Sequence, residues 1–173
     1  MTGDPMGTER AGIRPFGIIP EPKLALELRK YPFVVVPASA LDDQDSNKGV
    51  AHLSLPGRIL FAAATSQTPV LLIGSEKTCG GRFVRQFGIG EVVPYDPARV
   101  RSAIARLSDP DVQRQMRRSA AAIARGLSDR DIVPWLAASV DRSAPADNRF
   151  EDVFAGYDAA NSDPPLAMAQ AAR

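Results

Sequence analysis

Apolar positions along this chain come in short blocks separated by Gly, Pro and charged residues, and the blocks switch between helical and strand-like periods in a regular order. Residues 59–65 form an apolar, helix-like run, and residues 70–73, Val-Leu-Leu-Ile, form an aliphatic block too short for a helix. That block ends at Gly74-Ser75 and opens through Lys77-Thr78-Cys79-Gly80-Gly81 onto a helix predicted over residues 82–86. Upstream, residues 33–36 are apolar and rich in β-branched side chains, which predicts a buried parallel strand. A third strand is predicted at residues 91–93, and the polar stretch 41–49 is expected to be a loop at the first strand's carboxyl end. Residues 21–30 carry Leu24, Leu26 and Leu28, with Pro22 in the first turn, and predict a short helix.

The last third of the chain reads as helices. Asp96-Pro97 and Asp109-Pro110 each place a capping carboxylate before a proline at the first helical position, which satisfies orphan N–H groups and presets φ. After the second start, Val112, Met116, Ala120, Ile123 and Leu127 recur at helical spacing, leaving Arg114, Arg117, Arg118 and Arg125 largely outward. A further helix carrying Trp135 is predicted over residues 131–140. The expected organisation is a loosely ordered arm at 1–20, one domain at 21–142 and a mostly disordered tail at 143–173, with a dock by Phe150, Phe154 and Tyr157.

These blocks predict an α/β fold: a Rossmann-like partial parallel sheet with flanking helices. Ligands of open α/β sheets gather beyond the carboxyl ends of the strands, where helix N-termini present unpaired N–H groups to anions. A partial sheet also leaves an edge, so a second copy or a separate polypeptide is expected to complete it.

Ser54-Leu55-Pro56-Gly57-Arg58-Ile59-Leu60, Thr68-Pro69-Val70 before a strand, the Gly80-Gly81 turn, Phe87-Gly88-Ile89-Gly90 and Val92-Val93-Pro94-Tyr95-Asp96 together resemble the C-terminal domain of GT-B glycosyltransferases. The likeness extends more weakly to Tyr31–Ser39 and, downstream, to about Val140, roughly two thirds of the chain. It implies a domain that binds a nucleotide-sugar donor, with the acceptor and the base held by another domain. It implies neither a metal nor a cofactor. Diphosphate binding would then fall to Arg58, Ser75, Lys77, Gly80 and Gly81, with the glycine pair and its helix N-terminus stabilising the leaving group. Where retaining members of the family place a ribose-binding glutamate, this chain has Phe61 or Ala62, depending on the position of a one-residue insertion. Neither side chain accepts a hydrogen bond.

Composition narrows the partners. The 173 residues suit one domain that buries about 70% of its unfolded surface, and are too few for a two-domain glycosyltransferase. Lys+Arg 21 against Asp+Glu 20 lacks the basic excess of a nucleic-acid binder. No apolar run of about 18 residues is present, so a cytoplasmic chain without an integral membrane segment is expected. Cys79 is the only cysteine, which excludes an internal disulfide; a helix N-terminus beside it is expected to lower its thiol pKa. Asp42-Asp43-Gln44-Asp45 has metal-loop spacing but reads better as a solvated acidic loop. His52 lacks a visible acidic partner, Ser54 reads as a helix cap, and Arg82 and Arg85 read as solvated charges. Two function classes stand: a donor-binding glycosyltransferase-like domain, and a noncatalytic interaction or regulatory module on the same fold. A dinucleotide-dependent oxidoreductase fails, because Gly88-Ile89-Gly90 precedes its strand and lacks a third glycine.

Overall fold

The computed structural model describes residues 12, 15–46, 48–124, 126–127 and 132–149. Three parallel strands, β1 (Val34–Pro37), β2 (Val70–Ile73) and β3 (Gly90–Val93), form an open sheet in the order β1-β2-β3. Val34 pairs with Val70, and Val70 with Gly90, so the three strands start level and end level. The α/β class and the parallel sheet expected from the apolar blocks are both observed. All three strands lie within a residue of their predicted places.

The helices are α1 (Glu21–Leu28), α2 (Lys48–Leu53), α3 (Gly57–Phe61), α4 (Cys79–Gln86), α5 (Pro97–Leu107), α6 (Pro110–Ala124) and α7 (Ile132–Arg142). Helix α3 runs straight into a π-helical segment, Ala62–Ser66, ended by Gln67 in the left-handed conformation at φ 50°. A π turn holds an extra residue relative to an α turn, and is rare outside single-turn bulges. Helix α4 starts earlier than its predicted first residue, Arg82, because Thr78 caps it by accepting from the Gly81 N–H at 3.0 Å. The Asp-Pro starts hold as read: Asp96 accepts from Arg99 N–H at 2.7 Å, and Asp109 from Val112 N–H at 3.2 Å.

One face of the sheet buries Val36, Val70 and Leu72 against Ile59, Ala62, Phe83, Val84 and Ala120. The other packs Leu71 and Val93 on Ala103 and Leu107 of α5. Full burial of a residue the size of Leu71 or Leu72 contributes about 1.5–3 kcal/mol, so the central strand anchors both layers. Two expectations for helix faces change. Leu24 and Leu28 are half-buried while Leu26 is 62% exposed, because only the first two share a helix face. Arg117 is not outward: it is half-buried and donates to Tyr31 O at 2.8 Å and to Gln67 O at 3.3 Å. The expected dock by Phe150, Phe154 and Tyr157, the outward Arg125, and most of the arm and tail lie outside the described residues.

Candidate functional site

The carboxyl ends of the strands are laced together by backbone bonds. Ala38 N–H donates to Ile73 O at 2.8 Å, Ser75 N–H to Ser39 O at 2.8 Å, and Gly74 N–H to Val93 O at 2.7 Å. A Cβ at Gly74 would lie 2.8 Å from both Ala38 O and Ser39 O, so this close approach requires glycine. Tyr95 fastens the far side by donating its hydroxyl to Ala38 O at 2.9 Å.

Two clefts open at this edge. The first, about 210 Å³, lies between the tip of β1, the α2–α3 turn and the start of α4, and is lined by Ala38, Ser39, Asp45, Val50, Ala51, Ser54, Pro56, Thr78 and Gly80. The second, about 370 Å³, lies towards β3 and is lined by Ala40, Gly74, Ser75, Glu76, Val92, Pro94, Tyr95 and Arg99. Ser39 is central to the first: its hydroxyl donates to the Asp45 carboxylate and accepts from Leu41 N–H at 2.9 Å. A carboxylate held at a cleft wall by a serine accepts hydrogen bonds well from hydroxyl groups.

The five expected diphosphate residues do not line one cleft, although Lys77 N–H donates to Ser75 Oγ at 3.2 Å. Gly80 lines the first cleft and Ser75 the second, while Arg58, Lys77 and Gly81 line neither. Arg58 and Lys77 are exposed. The glycine pair has a packing role: a Cβ at Gly80 would sit 2.9 Å from Ile59 Cδ1, and one at Gly81 would sit 2.6 Å from Ser75 O. Two other nearby cations, Arg82 and Arg85, are engaged within the fold, while Arg99 lines the second cleft. Arg82 donates to Lys77 O at 2.7 Å and to His52 O at 2.9 Å, with its Nε buried and without a partner, and Arg85 pairs with Glu76.

Thr78 is a site residue that the sequence reading missed. It is 3% exposed, caps α4, and donates to Ser75 O at 2.8 Å, so one side chain ties the turn to the helix start. Its sequence signal was a β-hydroxyl three residues before the second glycine, the spacing of an N-cap to N3. With Gly81 N–H taken by this cap, the first-turn donors left for an anion are those of Cys79 and Gly80.

Two further expectations, for Ser54 and Cys79, are corrected. Ser54 caps no helix: Pro56 occupies the N-cap of α3, without a side-chain hydrogen bond. Burial pushes the Cys79 thiol up, outweighing the opposing pull of Arg82, so the helix N-terminus does not lower it overall. His52 sits in the last turn of α2, and among the described residues no hydrogen bond or ion pair reaches its ring. In the acidic loop Asp43 pairs with Lys48 at 3.2 Å and Asp42 accepts from Gln44 N–H at 3.1 Å. Among the described residues, no three His, Cys, Asp or Glu gather as a metal site, and no helix is long and apolar enough to cross a membrane. Phe61 is half-buried and Ala62 lies in the core, and neither lines either cleft.

Comparison of the chain with models of protein families, with curated proteins and with solved structures finds no match.

Proposed function

We propose that this chain is a donor-binding domain of the glycosyltransferase type, which holds a nucleotide-sugar at the carboxyl edge of its sheet and needs an acceptor domain for transfer. The observation that carries this reading is the first cleft, where Asp45, Ser39 and the start of α4 meet. Asp45 is there to accept hydrogen bonds from ribose or sugar hydroxyls, the work that Phe61 and Ala62 cannot do. The N–H groups of Cys79 and Gly80, at the positive end of the helix dipole, are the donors this reading assigns to the diphosphate. Sugar transfer forms a bond from the anomeric carbon to an acceptor oxygen, whose proton passes to a base on the acceptor domain, and breaks the bond to the diphosphate oxygen, whose charge those N–H groups stabilise. The cleft's 210 Å³ falls short of the roughly 300–1,000 Å³ of a complete small-molecule site, which fits one half of a site awaiting an opposing surface.

Calorimetric titration with nucleoside diphosphates tests the assignment by residue. Asp45→Asn weakens binding by about 1–3 kcal/mol, whereas Arg58→Ala, whose side chain lines neither cleft, leaves it unchanged. Equal affinities for the Asp45→Asn and parent chains contradict the assignment.

A second reading, a noncatalytic module on the same fold, draws on the glycines packed against the core and on the cations tied to carbonyls and to Glu76. It differs in one observable. A donor domain gains about 2.7 kcal/mol of stability from a nucleotide at about 100 times its dissociation constant, and a module that does not bind gains none.

A further inference from the structure

At the amino end of the sheet, opposite the strand tips, Arg29, Arg117 and Arg118 line one open groove of about 560 Å³ with Ser66, Gln67 and Ala121. No acidic side chain lines it. Two of the guanidinium groups are tied to the carboxyl end of the π segment. Arg29 donates to Thr65 O at 2.8 Å, and Arg117 donates to Gln67 O and across to Tyr31 O. These bonds use one N–H of Arg29 and two of Arg117, out of the five that each fork carries. Arg118 is exposed and has no hydrogen bond or ion pair among the described residues. Burial holds the Arg117 guanidinium below its usual range.

We propose that this groove binds a phosphate-bearing anion, gripped by the pre-set forks of Arg29 and Arg117 and closed over by the free Arg118. Planar guanidinium forks match phosphate oxygens in pairs, and a phosphate carrying a charge of about −1.5 to −2 offsets more of three like charges than a carboxylate does. The site is separate from the strand-tip cleft and stands whether or not that cleft takes a nucleotide. The phosphate belongs to a small soluble molecule or to a lipid headgroup, and both present the same oxygens.

The test is titration of the chain with inorganic pyrophosphate, and sedimentation with phosphatidylcholine vesicles with and without phosphatidic acid, each variant being checked for fold by circular dichroism. Expected is salt-sensitive binding of pyrophosphate, or of the phosphatidic acid vesicles alone, weakened about tenfold or more by Arg118→Glu. Arg101→Glu, an equal charge change on exposed α5, has no such effect. Pyrophosphate binding assigns a soluble source, and vesicle binding alone assigns a headgroup. Binding of neither probe, equal binding to vesicles lacking phosphatidic acid, or equal losses from Arg118→Glu and Arg101→Glu overturns the proposal.

Discussion

Single atoms decide several features of this fold. A Cβ at Gly90 would stand 1.9 Å from Val70 O, inside the β2–β3 pairing, so Gly90→Ala is expected to cost about 3 kcal/mol or more, read from urea denaturation. The same logic changes the meaning of Gly80 and Gly81, whose lack of a side chain serves contact with Ile59 and with Ser75 O. Cys79 gives a pH signature. Its folded thiol titrates above the unfolded one, so its contribution is complete below the unfolded thiol pKa and is lost as pH rises through the folded one. Unfolding midpoints measured between about pH 7 and pH 10 should therefore fall more steeply for the parent chain than for Cys79→Ala. Equal slopes contradict this account of the thiol.

At the scale of elements, one cap joins the strand tip to helix α4. Thr78→Ala removes the bond to Gly81 N–H and the bond to Ser75 O, and is expected to cost about 1–2 kcal/mol in the same denaturation measurement. The elements legible in the sequence were those specified by neighbours along the chain. The strand at residues 70–73 is an apolar run closed by Pro69 and Gly74, and two helices begin at Asp-Pro pairs. What was not legible depends on distant partners. The π segment accommodates packing against α1 and α6, which no local pattern encodes. Arg117 reads as an outward helix charge until its partner at Tyr31 is known, 86 positions away. Of the expected site residues, Gly80 and Ser75 line clefts at the strand tips, as their places after the apolar run at 70–73 suggest. The contact of Ser39 with Asp45 and the engagement of Arg82 were not legible, because the chain reversal after β1 creates the first and two separate carbonyls create the second.

For the whole molecule, the central fact is a sheet in which, among the described residues, three strands pair and neither edge strand has a second partner. Val35 is 52% exposed, and Pro37, which lacks an N–H, ends the same edge strand. Val35→Lys is expected to raise the solubility limit while changing the urea midpoint by no more than about 0.5 kcal/mol equivalent, since the side chain leaves little contact behind. A larger loss of stability would show that Val35 is covered in solution. Such an edge strand and a half-sized cleft agree with a domain that works against another surface, as the donor-binding proposal requires. The most direct measurement is calorimetric titration of the folded, purified chain with UDP, GDP, ADP and CMP, with and without magnesium. The account predicts saturable binding of one of these nucleotides at a single site. Absence of heat with all four, from a chain whose cooperative unfolding has been demonstrated, would contradict it and leave the interaction module.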